Sequence, residues 1–199
     1  MHFLRTALPW LLFAALAAVS WPVSAGAGVL ASIALLRRER RAGTTWQDLL
    51  LQTSSLAFFV LVLAFALAAP HSFLRPYSGA GSQAWLGLTA WFSLAVRQPF
   101  TMSFAKQGTP PEIWAEPRFL KVNNVITTFW AAGFSVFAVL IALTYADTHN
   151  SGAVGTVQLI GLAISAVFTV RYAARARARG AAAAAASAST APSASASAS

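Results

Sequence analysis

The fold is decided by residues Leu49 to Ala69, LLLQTSSLAFFVLVLAFALAA, which contain no charged side chain and are followed by Pro70. A helix needs about 20 consecutive apolar residues to cross the hydrocarbon core of a bilayer. Proline has no backbone N–H and cannot continue a helical hydrogen-bond ladder, so Pro70 marks the end of the segment. This stretch therefore predicts a transmembrane helix.

The composition of the whole chain agrees with a membrane location. Hydrophobic residues make up 57% of the sequence and charged residues only 10%, whereas a soluble domain carries roughly a quarter charged residues. The net charge of +9 could suggest nucleic acid, but a nucleic-acid reader needs a basic surface on a water-soluble domain, and none remains outside the apolar segments. We therefore predict an all-α, polytopic transmembrane helix bundle that binds no nucleic acid.

The apolar segments divide the chain into a membrane domain, residues 1–174, and a tail, residues 175–199. We expect five full spans plus an N-terminal re-entrant or short sixth segment. The predicted segments cover about residues 8–21 (short or re-entrant), 22–36, 49–69, 80–96, 122–146 and 154–172. The Arg/Ala/Ser tail is of low complexity and has nothing to bury, so we expect it to be disordered at its end.

The N-terminal apolar stretch, Ala7 to Leu36, is too long for one span and too short for two. It could form one kinked helix, a re-entrant piece followed by a span, or two spans, and we favour the second arrangement. It also imitates a secretory signal with Val23-Ser24-Ala25 as a cleavage-like site. Cleavage there would leave only Gly26 to Leu36 before the arginines, which is too short to span.

The basic residues predict the orientation of the bundle. If the cluster from Arg37 to Arg41 is cytoplasmic, the alternation of spans places twelve of the 14 Lys and Arg residues there and only Arg75 outside, with Arg5 left uncounted. Cytoplasmic loops of membrane proteins carry such an excess of Lys and Arg. We therefore predict a cytoplasmic C-terminus.

The longest polar interruption runs from Arg97 to Lys121, RQPFTMSFAKQGTPPEIWAEPRFLK. Within it, Thr109-Pro110-Pro111-Glu112 fits a capping box, which predicts a short helix from about Pro110 to Glu116. Trp114 would then lie in the headgroup layer, where tryptophan is favoured. We take this segment as a candidate interaction loop, with these residues: Arg97, Pro99, Phe100, Pro110, Pro111, Glu112, Trp114 and Phe119.

Two groups of residues raise the question of catalysis or metal binding. Glu112 and Glu116 would share a helix face as an acid/base or metal-binding pair, but we expect them to pair with Lys106, Arg118 or Lys121. His71, Asp147 and His149 could converge on the other side of the membrane, but histidines in exposed loops are usually only solvated. We therefore predict no catalytic residue, no metal site and no cofactor.

The span after the interruption carries small and weakly polar residues at alternating spacings of four and three. Helices in lipid associate through such residues because these let the backbones approach, and the same argument applies to Gln158, Gly161, Ser165 and Thr169 in the last span. Gly26-Ala27-Gly28 matches a dinucleotide fingerprint, but no strand precedes it, so we expect it to ease helix packing. The candidate packing stripe comprises Asn124, Thr128, Ala131, Ser135, Ala138 and Ala142.

Residues of the interruption and of the following span also resemble known families. The run Pro99-Phe100-Thr101, Ala105, Pro110-Pro111-Glu112-x-Trp114, Pro117-x-Phe119, Asn123 and Trp130 is similar to a group of uncharacterised bacterial integral membrane proteins. More distantly, the order of spans and basic loops resembles the intracellular septation protein A family. The resemblance covers roughly Leu8 to Tyr172.

The resemblance implies a bacterial cytoplasmic (inner) membrane protein connected with envelope synthesis and division. We expect a non-enzymatic interaction or scaffold component whose partners are the lipid bilayer and other membrane or envelope proteins, a second copy of the chain included. The alternative is a small membrane transporter or channel, with a path along Asn124, Thr128 and Ser135. No span carries an ionisable residue near its middle, which disfavours an ion-coupled carrier.

Overall fold

The computed structural model of the protein describes residues 2–17 and 19–190, and within these it contains helices and turns but no strand. The all-α prediction is therefore confirmed for the described part of the chain. Four short 3-10 turns lie between the helices, at Gln47–Leu49, Arg75–Tyr77, Lys106–Gly108 and Pro111–Ile113. The helices are α1 (His2–Leu16), α2 (Trp21–Arg41), α3 (Leu50–Ala68), α4 (Ser78–Ala95), α5 (Met102–Ala105), α6 (Pro117–Thr148) and α7 (Ser151–Thr190).

Three of these helices are long and apolar enough to cross a membrane, namely Leu50–Ala68, Pro117–Thr148 and Ser151–Ala182. The apolar part of α1, Thr6–Leu16, is shorter. Length and composition thus establish three candidate spans in the described residues, and the predicted total of five full spans is not established by them.

The N-terminal apolar stretch forms two helices rather than one kinked helix. Helix α1 ends at Leu16 and α2 begins at Trp21. Pro22 lies in the first turn of α2, where a backbone N–H would have no intrahelical partner. The cleavage-like site Val23-Ser24-Ala25 falls inside α2, with Ser24 and Ala25 buried.

Helices α1, α2 and α3 pack around the ring of Phe59, which is fully buried. Phe13 of α1 contacts this ring on one side. On the other side, a Cβ atom added to Gly28 of α2 would lie 2.5 Å from Phe59 Cδ1. Only glycine therefore fits where α2 crosses the aromatic ring, as expected for the Gly26-Ala27-Gly28 stretch.

Helices α4, α6 and α7 form a second group, with α6 between the other two. Gly87 of α4 approaches Ser135 of α6, and Gly161 of α7 lies against the ring of Phe137. Trp130 Nε1 donates a hydrogen bond to Thr169 Oγ1 at 2.9 Å. The stripe predicted on the last span therefore does face α6 and supplies an interhelical hydrogen bond.

The two groups meet where α3 crosses α4. Trp85 Nε1 of α4 donates to Ser54 Oγ at 2.9 Å, and Ser54 shares a hydrogen bond with Thr89. The ring of Phe58 lies beside Trp85. The junction is thus largely polar, unlike the aromatic core around Phe59.

Consecutive long helices are antiparallel, so the loops gather at two ends. The basic end carries Arg37–Arg41, the segment 96–116 and Arg118, whose Nη2 donates to the carbonyl of Ala176. The opposite end carries the segments 69–77 and 149–150. Helix α7 continues past the basic end to Thr190, while residues 191–199, where we expect disorder, lie outside the described part of the chain.

Candidate functional site at the basic end

The central interruption begins with a turn that ends α4. The amide of Arg97 donates to Leu94 O at 3.0 Å and the amide of Gln98 to Ser93 O at 2.8 Å, which is the Schellman pattern of helix ends. Arg97 occupies its left-handed position, with φ 57°. Glycine is the usual residue there because a Cβ atom is disfavoured.

The next residues of the interruption are attached to the bundle. The amide of Phe100 donates to Ser93 Oγ at 3.2 Å, and Pro99 is buried. Thr101 Oγ1 lies 2.8 Å from Thr127 Oγ1 and 3.2 Å from Asn123 O. Both Asn123 and Thr127 are buried on α6, so the segment is fixed at the start of that helix.

A second attachment joins the interruption to the turn before α3. Lys106 Nζ lies 2.6 Å from Asp48 Oδ1 and 5.2 Å from the centre of the Trp114 ring. Trp114 Nε1 in turn donates to Thr109 O at 3.0 Å. The ion pair therefore holds together two segments that are 58 residues apart in the chain.

The predicted capping box does not form. Pro111–Ile113 is a single 3-10 turn that starts after Pro110 and has no side-chain cap hydrogen bond. Pro111 disfavours the helical conformation at the preceding residue, and Pro110 accordingly has ψ 144°. The amide of Thr109, which Glu112 would cap, donates to Lys106 O instead. The predicted helix from Pro110 to Glu116 is therefore wrong. Trp114 folds back on Thr109, and we call residues 97–116 the elbow.

The ion pairs predicted for Glu112 and Glu116 do not form either. Glu112 and Glu116 are exposed, and neither forms an ion pair with another residue that the structure describes. Lys106 instead pairs with Asp48, and Arg118 donates to a backbone carbonyl of α7.

The candidate interaction loop therefore falls into two parts. Pro99, Phe100, Trp114 and Phe119 are buried or half-buried against the bundle, whereas the others are exposed. The exposed members are Arg97, Pro110, Pro111 and Glu112.

The candidate packing stripe on α6 likewise contains both buried and exposed residues. Ala131 is fully buried, and Ser135 accepts a hydrogen bond from Trp91 Nε1 of α4. Ala138 and Ala142 are half-buried, whereas Asn124 and Thr128 are exposed. The buried face of α6 instead carries Asn123, Ile126, Thr127, Trp130, Ala131 and Ile141.

A cleft opens between the elbow and the turn after α2. It has a volume of about 350 Å³, and its walls include Thr44, Asp48, Gln52, Lys106 and Trp114. A smaller cavity of about 140 Å³ lies on the other side of the same ion pair, beside Pro99 and Phe100.

The deepest polar residue of the cleft is Gln52 of α3. Its side chain is only 5% exposed, and its Oε1 atom accepts no hydrogen bond from any described residue. Leaving a buried acceptor unpaired costs on the order of 1 to 3 kcal/mol. Gln83 of α4 carries a second such oxygen, but it does not line the cleft.

The sequence did not single out Asp48 or Gln52 as site residues. Asp48 lies in the turn before α3, and Gln52 begins the short polar run Gln52 to Ser55 within a mostly apolar span. This polar run near the start of the span was the available signal for the cleft.

The opposite end of the bundle has fewer candidate functional side chains. His149 lies at the end of α6 beside Tyr145, and the described residues contain no group of three or more His, Cys, Asp or Glu side chains placed to hold a metal ion.

No family model, no curated protein and no solved structure matches the chain. The resemblance to the septation protein A family therefore stays a prediction.

Proposed function

We propose that the chain is a multi-pass protein of the bacterial cytoplasmic membrane with five full spans, α2, α3, α4, α6 and α7, and with α1 as a short sixth segment. The connectivity supports this, because α4 links the opposite end of α3 to the basic end, where α6 begins. A helix that connects two crossing helices in this way is expected to cross as well. The excess of Lys and Arg at the basic end favours the cytoplasm for that end and for the C-terminus.

We propose further that the protein works as an interaction or scaffold component of the envelope and that partner proteins bind the elbow. The observation that supports this proposal is that the elbow is fixed at Thr101 and Lys106 while its tip, Pro110-Pro111-Glu112, stays exposed. A fixed, proline-rich tip loses little conformational entropy when a partner binds. The septation link rests on the resemblance alone, and no reaction is assigned to the chain.

A photo-crosslinking residue at position 112 tests this proposal in native membranes. We expect a discrete adduct with an envelope protein from position 112 and none from position 73, which is an equally accessible site at the opposite end, where Phe73 is 80% exposed. The double variant P110S/E112K should accumulate normally but fail to correct septum and envelope defects of a deletion strain. Full complementation together with no adduct from position 112 would reject the elbow as a partner surface.

Transport is a second candidate, and the polar junction between α3 and α4 favours it. Ser54 and Thr89 share a hydrogen bond there, and Trp85 Nε1 donates to Ser54 Oγ. Any path would therefore follow α3 and α4 rather than Asn124 and Thr128, which lie on the outer surface of α6.

Single cysteines can separate the two candidates because the native chain contains none. A water-filled path predicts that cysteines at positions 54 and 89 react with a water-soluble thiol reagent in intact membranes. Protection of both positions would leave the junction as packing.

A further inference from the structure

The three hydroxyl groups of Thr44, Thr45 and Ser103 in the walls of the cleft at the basic end donate to protein acceptors. The hydroxyl of Thr45 donates to Asp48 Oδ2 at 2.9 Å, that of Thr44 to Glu39 Oε2 at 3.3 Å, and that of Ser103 to Phe100 O at 2.8 Å. Each wall hydroxyl thus uses its one hydrogen on a protein acceptor and has only lone pairs left. These hydroxyls therefore suit a ligand that donates hydrogen bonds.

The buried oxygen of Gln52 is an independent sign that a donor is missing. The residue lines the cleft, its side chain is 95% buried, and its Oε1 atom has no partner. Asp48 lies one helical turn before it in the chain and has a carboxylate that can accept further hydrogen bonds. The two residues together form an acceptor pair on one wall.

Lys106 shows which kind of donor suits this wall. Its ammonium group lies between the Asp48 carboxylate and the face of Trp114, and carboxylate plus aromatic face is a recognised environment for ammonium groups. Lys106 is the only Lys or Arg among the residues that line the cleft.

The surroundings of the cleft favour a ligand that also carries negative charge. Arg40 lies over the ring of Trp46 beside the cleft, within the basic cluster Arg37–Arg41. Glu39 and Asp48 line the cleft itself, so a phosphate next to the ammonium would lie at its edge. There Arg40 donates to the carbonyl of Thr44, and guanidinium groups attract phosphate. Interfacial tryptophans such as Trp46 and Trp114 are typical of the headgroup layer of a membrane.

We propose that this cleft binds a phosphate ester with a primary ammonium group, as in a phosphatidylethanolamine headgroup. The ammonium donates to Asp48 and to Gln52 Oε1, and the phosphate faces the arginines. A choline headgroup has the same charges but no N–H, so it cannot satisfy Gln52. The proposal does not depend on the partner surface proposed for the elbow tip.

Thermal unfolding of the purified full-length protein in detergent, titrated with added lipid, tests this binding. We expect phosphatidylethanolamine to bind roughly tenfold more tightly than phosphatidylcholine with the same acyl chains, the factor that one charge-assisted hydrogen bond provides. A parallel titration with soluble phosphoethanolamine and phosphocholine separates a free ester from a membrane lipid. The proposal would be overturned if the primary ammonium is preferred by twofold or less both in the lipids and in the soluble esters.

Variants of the two buried glutamines locate the binding site. Gln52→Leu should reduce the preference to twofold or less, whereas Gln83→Leu removes an equally buried, unpartnered oxygen elsewhere and should keep it. Asp48→Asn should also weaken the preference and serves if Gln52→Leu does not fold. A preference that survives both Gln52→Leu and Asp48→Asn would exclude this cleft as its source.

Discussion

Arg97 adopts a backbone conformation that costs an L-amino acid roughly 1 to 2 kcal/mol. Its φ of 57° is fixed by the two hydrogen bonds that end α4. Strain of this kind persists where the surrounding structure imposes it, and it often marks functional positions. Arg97 is thus a strained, exposed residue at the start of the interruption.

Arg97→Gly should stabilise the protein, because glycine adopts this conformation without a Cβ clash. We expect the free energy of unfolding to rise by about 1 kcal/mol, measured by reversible unfolding in mixed micelles. Val96→Gly is the matched control, since Val96 has φ −83° and should lose stability instead. A decrease for Arg97→Gly of the size seen for Val96→Gly would show that the conformation is not strained.

Gly28 is a second position where one atom decides the packing. Gly28→Ala should lower the free energy of unfolding by about 1 to 3 kcal/mol, since the new methyl group overlaps the ring of Phe59. Gly26→Ala on the same helix meets nothing within 4 Å and should be neutral or slightly stabilising. Equal effects of the two substitutions would mean that α2 does not approach Phe59 closely.

At the scale of the helices, periodicity predicted that α6 has a packing face but not where that face lies. In water, the apolar side of a helix is the buried side, whereas in lipid both sides are apolar and the pattern loses this information. The structure buries Trp130, which is not in the predicted stripe, and exposes Asn124 and Thr128, which are. The bond from Trp130 to Thr169 explains the difference, because an indole N–H in lipid needs an acceptor.

The candidate site was predictable only in part, because some of its contacts join segments that are far apart in the chain. The interruption and its proline-rich tip follow from local sequence, whereas the placement of Trp114 in the headgroup layer stays a prediction. The Asp48–Lys106 pair and the cleft depend on contacts between segments 58 residues apart, which no local pattern encodes. The capping box failed because Pro111 holds Pro110 in an extended conformation, so no α-helix starts there.

The hydrogen bond between Trp130 and Thr169 should measurably stabilise the pairing of α6 with α7. Thr169→Val should lower the free energy of unfolding by about 1 to 2 kcal/mol, because it leaves the indole N–H of Trp130 without an acceptor. Thr156→Val is the control on the same helix, since Thr156 donates only to the carbonyl of Gly152 in its own helix. Similar losses for both variants would place the effect within α7 rather than between the helices.

At the scale of the whole molecule, two helices are longer than a bilayer requires. Helices of 32 and 40 residues span about 48 and 60 Å, against roughly 30 Å for the hydrocarbon core. The end of α7 must therefore extend beyond the membrane at the basic end, and it carries four exposed arginines there: Arg171, Arg175, Arg177 and Arg179.

Single cysteines decide the orientation, since no native cysteine competes for the label. With the basic end in the cytoplasm, cysteines at positions 75 and 149 should react with an impermeant thiol reagent in intact cells, and those at 106 and 177 only after permeabilisation. Position 177 is a clearer test than position 106, because Arg177 is exposed whereas Lys106 is half-buried. A failure to label position 177 would therefore report the side of the membrane and not burial of the side chain. Labelling of 177 together with 75 before permeabilisation would require an even number of crossings between them. That result would remove one of α4, α6 and α7 from the set of spans, and α4 would be the first to doubt, because its 18 residues give only about 27 Å.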